Sequence, residues 1–97
     1  MFAKEIFSTR LKELRKTTGI SQQALATLLG VTKTQISDIE NAKTTTSIER
    51  LYLLADYFHV SIDYLTGRTD CPDIITKDKD GNYIAVEAMS PAKNKKQ

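Results

Sequence analysis

The stretch QQALATLLGVTKTQISDIEN, residues 22–41, decides how this 97-residue chain folds. Ser21 and Thr32 stand just before its two apolar-patterned halves, and their hydroxyls can accept hydrogen bonds from the free amides of a first helical turn. Gly30 can adopt, without a steric penalty, the left-handed conformation that ends a helix. The stretch therefore predicts two short helices separated by residues 30–32, the arrangement called a helix-turn-helix unit.

The second predicted helix has two chemically different faces. Helical spacing turns Ile36 and Ile39 towards Leu25 of the first helix, and Ala26 is small where the helices cross. In such a unit the second helix enters the major groove, where lysine can bind guanine, threonine thymine, and aspartate cytosine. The polar residues left on the outward face, which are predicted to read bases, are Lys33, Thr34, Ser37 and Asp38.

A further helix is predicted before this unit. From Glu5 to Thr17 the apolar residues Phe7, Leu11 and Leu14 recur at helical spacing with charged residues between them. Gly19 then stands where a helix C-cap belongs. This pattern predicts one amphipathic helix whose apolar side faces the helix-turn-helix unit.

Two more helices are predicted after the polar residues 43–46. Ser47 is an N-cap with Arg50 at the third helical position, so the cap is expected without a reciprocal capping box. Ser61 caps a short fifth helix that Gly67 ends. The expected core stripe of the fourth helix is Ile48, Leu51, Leu54, Ala55 and Phe58.

The pattern changes to that of a β-hairpin beyond Arg68. Two apolar runs, 74–75 and 83–86, flank an Asp80-Gly81 pair of the kind that favours a two-residue type I′ turn. With that loop Ile75 faces Val86 and Lys77 faces Ile84. One side of the hairpin is then predicted to present Ile75, Ile84, Val86 and Ala88. Because an isolated two-stranded hairpin is marginal in water, this side is expected to pack on the chain's own helices or on a second copy.

Composition excludes several classes of protein. The net charge is +2, and the residues up to Arg50 carry eight basic against five acidic side chains, so the basic half is the one with the predicted unit. One cysteine, Cys71, and one histidine, His59, allow no intrachain disulfide or zinc site and favour the cytosol. No signal peptide, membrane span, calcium loop or catalytic constellation is predicted, so no enzyme, metal, cofactor or membrane partner is expected.

The order and spacing of these features resemble the phage repressor and Cro family of helix-turn-helix regulators. The resemblance rests on RLKELRKTTGISQQALATLLGVTKTQISDIENAKT, residues 10–44, followed by SIERLYLLADYFHVSIDYLTG, residues 47–67. It implies a mostly α fold: a five-helix repressor-like DNA-binding domain over 1–68 with its motif at 22–41. A short β-hairpin at 69–89 and a disordered basic tail at 90–97 complete the expected organisation.

The resemblance also implies roles for individual residues. The family's base readers match the outward face already described, although Asp38 stands where arginine, lysine or glutamine is common. Arg15 and Glu40 match a structural ion pair between the first and third helices. Positions that bind DNA phosphates match Gln22, Gln23, Gln35, Asn41, Lys43 and Thr44.

The expected function is that of a cytoplasmic, homodimeric transcriptional repressor of phage or mobile-element type. Two recognition helices related by a two-fold axis read half-sites about 34 Å apart on double-stranded DNA. Apolar residues outside the core, among them Tyr52 and Leu53, suggest a self-association patch. The dimerisation candidates are Tyr57, Ile62, Tyr64, Ile75, Ile84 and Val86.

Two other functions remain open from the sequence. One is an antitoxin, in which the helices bind DNA and the C-terminal hairpin engages a toxin protein. The other is a protein-interaction module that has lost DNA binding, which Asp38 alone favours because a carboxylate repels phosphates.

Overall fold

The computed structural model of the chain describes residues 3–87, and within them the fold is mostly helical, as the sequence predicts. Five helices and two strands follow one another along the chain. They are α1 Lys4–Thr18, α2 Gln22–Leu29, α3 Lys33–Glu40, α4 Ile48–Phe58, α5 Ile62–Thr66, β1 Ile74–Lys77 and β2 Tyr83–Val86. The tail predicted at 90–97, and Ala88, lie outside the described residues.

The predicted caps are confirmed at four helix starts. The hydroxyl of Ser21 accepts from the amide of Ala24 at 3.0 Å, and Ser47 and Ser61 cap α4 and α5 in the same way. Thr32 caps α3 in the same way, and in addition the side-chain oxygen of Gln35 accepts from the Thr32 amide at 2.8 Å. The two reciprocal hydrogen bonds form a capping box. Each of these four helices therefore begins directly after a residue whose hydroxyl caps its first turn.

One core joins all five helices. Its buried apolar residues come from α1, α2, α3, α4 and α5, and from Val60 before α5. Ser8 is buried with them, and its hydroxyl donates to the carbonyl of Ile39 at 2.6 Å, which ties α1 to the end of α3. The largest fully buried side chains are Phe7, Leu11, Leu14, Leu25, Ile36, Leu54, Leu65 and Val60.

Two expectations about core membership are wrong. Ile48 was predicted in the stripe of α4, but its side chain is 81% exposed. Ile48 is the first residue of α4, and helical side chains lean towards the N-terminus, so this one extends past the packed face. Tyr64 was predicted outside the core, but it is half-buried and packs against it.

The hairpin forms, but its predicted register is wrong. β1 and β2 pair antiparallel with Ile74 opposite Val86 and Thr76 opposite Ile84, one residue away from the expected pairing. The cause is a five-residue loop, 78–82, in place of the two-residue turn. The carboxylate of Asp78 accepts from the amides of residues 80 and 82, both at 2.9 Å, and holds this longer loop closed.

The shifted register changes which residues share a side of the hairpin. Because side chains alternate along a strand, Ile75 lies on the side opposite Ile84 and Val86, contrary to the prediction. One side carries Ile74, Thr76, Ile84 and Val86, and the other carries Ile75, Lys77, Tyr83 and Ala85.

The base of the hairpin is fixed to the helices by the side chain of Arg10 and the backbone amide of Ser61. Arg10 of α1 donates to the carbonyls of Tyr64 and Thr69, the latter at 2.7 Å, and pairs with the Asp70 carboxylate at 2.6 Å. Its guanidinium also lies 4.3 Å from the centroid of the Tyr64 ring. The amide of Ser61 donates to the Pro72 carbonyl at 2.9 Å. The direction in which the hairpin leaves the helical body is therefore set by the structure.

Candidate nucleic-acid interface

The four predicted base readers lie on one outward face of α3. Lys33 and Thr34 occupy the first turn and are exposed, and Ser37 and Asp38 follow one turn later and are half-buried. Ile36 and Ile39, on the opposite face, are buried in the core. The structure therefore brings these four side chains together on a rigid helix.

Two side chains next to this face are held by hydrogen bonds within α3. The oxygen of the Gln35 carboxamide is occupied by the Thr32 amide, so its nitrogen is left to donate outward. The Asn41 amide lies 3.4 Å from the Ser37 hydroxyl. Gln35 therefore presents a donor, which is the group that a phosphate accepts from, whereas the Asn41 side chain already directs its nitrogen to Ser37.

A buried carboxylate connects α1, α2 and α3 directly behind the outward face. The Glu40 carboxylate accepts hydrogen bonds from Arg15 Nε at 2.5 Å and from Arg15 Nη2 at 3.1 Å, so the predicted ion pair is formed. Gln22, at the start of α2, donates its side-chain amide to the same carboxylate at 3.0 Å. Arg15 also donates to the Ile20 carbonyl at 3.1 Å. The end of α3 and the start of α2 are therefore held at a fixed distance.

The N-terminus of α2 carries the two glutamines predicted to bind phosphate. Gln22 is half-buried against Glu40, whereas Gln23 is exposed and its amide lies 3.4 Å from the Thr27 hydroxyl. Ser21 caps this end by satisfying the Ala24 amide. The backbone amides of the first turn point out of a helix N-terminus, where the helix dipole favours an anion.

The remaining two predicted phosphate contacts follow the end of α3. Ala42 adopts a left-handed conformation with φ of 61°, and the Lys43 amide turns back to the Asp38 carbonyl at 2.9 Å. This turn places Lys43 and Thr44 directly after the outward face, and both are exposed. A non-glycine residue at positive φ is held there by the surrounding bonds.

Three contacts that position the interface were not predicted from the sequence. The capping box at Thr32 and Gln35 had a recognisable spacing that signals it. The contacts of Ser8 and Arg50 have no signal in the sequence, because each side chain donates to a carbonyl far away along the chain. Ser8 donates to Ile39, and the Arg50 Nε donates to Leu29 at 3.3 Å. Both brace a helix of the predicted unit against its neighbours.

Residues 3–87 offer neither a metal-binding cluster nor a membrane-spanning helix. In that part of the chain no group of three or more histidine, cysteine, aspartate or glutamate side chains is placed to hold a metal ion. None of the described helices combines the length and the apolar character needed to cross a bilayer.

The order and packing of α2 and α3 define a helix-turn-helix domain. Residues 11–65 match the family model for Helix-turn-helix, HTH_3, and the chain belongs to that family. Two relatives from Bacillus subtilis strain 168 are similar. The uncharacterized HTH-type transcriptional regulator YobD is 32% identical over 68 residues, and the HTH-type transcriptional regulator AnsR is 42% identical over 59. These matches cover 70% and 61% of this chain, and 61% of YobD and 51% of AnsR.

Solved structures extend the comparison. The P22 c2 repressor, crystallised with a synthetic operator, superposes with a TM-score of 0.58 at 33% identity, covering 62% of this chain and 91% of that chain. Hydroxypropylphosphonic acid epoxidase from S. wedmorenis gives a TM-score of 0.61 at 29% identity, covering 84% of this chain but 40% of that chain. The helical fold is therefore shared with almost the whole of that crystallised repressor chain.

Proposed function

We propose that this protein is a sequence-specific, homodimeric transcriptional repressor that binds a pseudo-palindromic operator through the major groove. The observation that carries the proposal is the polar outward face of α3 in a chain of the helix-turn-helix family. The similarity to a repressor crystallised with its operator supports it. The proposal assigns DNA binding to residues 1–68 and dimerisation to the hairpin at 69–89, in a cytoplasmic protein with no catalytic step or cofactor.

In the proposed complex, α3 lies in the major groove and its first two turns meet base edges. Lys33, at the exposed start of the helix, donates to guanine O6 and N7, and Thr34 contacts thymine. Asp38, one turn further, accepts from cytosine N4. Ser37 lies between them and reads an adjacent base.

Phosphate contacts on either side fix the depth and angle of α3. The Gln35 amide donates outward because its oxygen is bound by Thr32. Gln22 uses its remaining side-chain hydrogen and its backbone amide, since its other hydrogen is committed to Glu40. These contacts carry no sequence information themselves, but they set the register in which the bases are read. The remaining proposed phosphate ligands are Gln23, Asn41, Lys43 and Thr44.

The test is selection of bound DNA from a random duplex pool by the purified full chain at physiological salt. Enrichment of a two-fold symmetric site with half-sites about 34 Å apart is the expected result. A folded protein that enriches no sequence over repeated rounds contradicts the proposal.

The selected site then separates base readers from phosphate ligands. Lys33→Ala is expected to cost roughly 1 to 3 kcal/mol and to relax the preference at one base pair. Lys43→Ala is the matched control: it removes an exposed lysine from the proposed phosphate contacts, so it weakens all sequences alike and lowers the salt slope by about 1. Binding titrations on the site and on single-base variants distinguish the two. A uniform loss for Lys33→Ala places Lys33 on a phosphate instead.

A further inference from the structure

A cleft between the helices and the hairpin takes no part in the interface described above. It has a volume of about 550 Å³ and lies between α4, the start of α5 and β1. Clefts that hold small molecules have volumes of about 300 to 1,000 Å³ and are lined mainly by apolar and aromatic side chains. The cleft has this size and this kind of lining. Its apolar residues are Tyr52, Ala55, Val60, Ile62, Ile74 and Ile75.

Hydrogen bonds hold the two walls of the cleft together. The amide of Ser61, at the start of α5, donates to the Pro72 carbonyl at 2.9 Å, two residues before β1 begins. The guanidinium of Arg10 donates to the Thr69 carbonyl at 2.7 Å and fixes the segment that leads from α5 to the hairpin. The cleft is therefore formed by the fold itself, which is the usual condition of a small-molecule site.

The charged residues that line the cleft are all acidic. Asp56, Asp63 and Asp73 line it, and none of the lysine, arginine or histidine residues in the described range 3–87 does. Glu49 lines a second groove of about 610 Å³, which shares Tyr52 with the cleft and has no cationic residue of that range in its lining either. In a chain of net charge +2, this surface therefore has a negative potential, which attracts cations.

Two of the carboxylates and one aromatic ring are accessible to a ligand. Asp56 is exposed and makes no ion pair within residues 3–87. Asp63 pairs with Arg68 at 3.8 Å, but these side chains are 64% and 80% exposed, so the pair is weak. Tyr52 stands one helical turn before Asp56 on α4 and is 62% exposed. A cation beside these carboxylates can therefore also contact the face of the Tyr52 ring.

We propose that this cleft binds a small organic cation that consists of an ammonium group and an apolar body. The ammonium group donates to the carboxylates of Asp56 and Asp63, and the apolar body packs on Ile62 and Ile74. The same carboxylates repel DNA phosphates and anionic lipids, and a neutral apolar molecule gains no attraction from them. The inference does not rest on the proposed function, because none of the residues that line the cleft is a proposed DNA contact.

Titration of the isotope-labelled full chain with phenylbutylammonium, followed through the chemical shifts of backbone amides, tests the site. Saturable shifts at the residues that line the cleft are expected. Phenylbutanol has the same apolar body without the charge and is expected to bind at least about 10-fold more weakly. The anionic phenylpentanoate is expected to show no saturable binding. Equal affinities for the ammonium and the alcohol, shifts centred elsewhere, or no saturation overturn the inference.

A charge-removing variant shows whether the carboxylates of the cleft hold the cation. Asp56→Asn is expected to weaken the binding of phenylbutylammonium roughly 5-fold and to leave that of phenylbutanol unchanged. Glu5→Gln is the matched control, because it removes one exposed carboxylate from α1, outside the cleft, and is expected to change neither affinity. Far-UV circular dichroism verifies that both variants fold. An equal loss in the two variants assigns the effect to the net charge of the chain and contradicts the site.

The dependence on protein concentration distinguishes a small cation from a second copy of the chain. The affinity for phenylbutylammonium is expected to be the same at every protein concentration. An affinity that falls as the protein concentration rises shows that a second copy covers the cleft, and it overturns the inference. Selection of a DNA site by the same preparation tests only the proposed function, so either proposal can fail without the other.

Discussion

Glu40→Gln is expected to destabilise the fold by about 3 kcal/mol. The Glu40 side chain is 1% exposed and receives three hydrogen bonds, two from Arg15 and one from Gln22. The substitution keeps the volume but leaves the guanidinium of Arg15, only 13% exposed, without its counter-charge. Breaking a buried ion pair in this way costs about 3 to 5 kcal/mol. The lower figure applies because Arg15 keeps its bond to the Ile20 carbonyl and reaches some water.

Urea unfolding followed by far-UV circular dichroism measures this loss, and thermal unfolding is expected to shift down by at least about 10 °C. The control is the double variant Arg15→Met with Glu40→Leu, which removes both charges. It is expected to lose less stability than Glu40→Gln alone, because no charge is left buried without a partner. A loss under about 1 kcal/mol for Glu40→Gln refutes the reasoning, and so does a double variant less stable than Glu40→Gln.

Two further predictions concern local backbone geometry. Ala42→Gly is expected to stabilise the fold by about 0.5 to 1 kcal/mol, since φ is 61° at Ala42 and glycine adopts this conformation without strain. Urea unfolding measures it, and a destabilised variant contradicts it. In a Cys71→Ser background, Thr76→Cys with Ile84→Cys is expected to form a disulfide under mild oxidation, because these residues are opposite each other. Lys77→Cys with Ile84→Cys is the control, because these two residues are opposite each other in the register that the turn sequence suggests. Thiol titration that finds the disulfide only in this control variant contradicts the observed register.

The helices could be predicted because their ends are set by neighbouring residues. Ser21, Thr32, Ser47 and Ser61 each accept from an amide three residues ahead, and such bonds depend on spacing along the chain alone. The outward face of α3 follows from the same regularity, since a period of 3.6 residues assigns each side chain to a face. These parts of the site needed no knowledge of the tertiary structure.

The hairpin register could not be predicted from the turn sequence. The Asp80-Gly81 pair favours a two-residue loop, but Asp78 binds two amides and stabilises a loop of five. A difference of one residue in pairing moves Ile75 to the other side of the hairpin. The choice between the two loops depends on the hydrogen bonds that Asp78 makes, and the pattern of residue types does not reveal these bonds.

The contacts that brace the site join residues far apart in the sequence. Gln22 and Glu40 are 18 residues apart, and Arg10 reaches a carbonyl 59 residues away at Thr69. Neither pairing has a periodic signature, because each depends on how whole helices pack. Resemblance to a family supplied the pair of Arg15 and Glu40 and a bracing role for Gln22 against α3, but it did not identify Glu40 as the group that Gln22 binds.

The two carboxylates of α3 act differently on a DNA backbone in the proposed complex. The charge of Glu40 is buried and offset by Arg15, so it contributes little repulsion at the surface. Asp38 is half-buried on the outward face, and within residues 3–87 its carboxylate makes no ion pair. Its repulsion of phosphates is felt on every sequence, whereas its attraction to a donor is gained only where the base beside it offers an amino group, as cytosine does at N4. In the proposed complex Asp38 is therefore expected to raise specificity mainly by weakening binding to sequences that offer its carboxylate no donor.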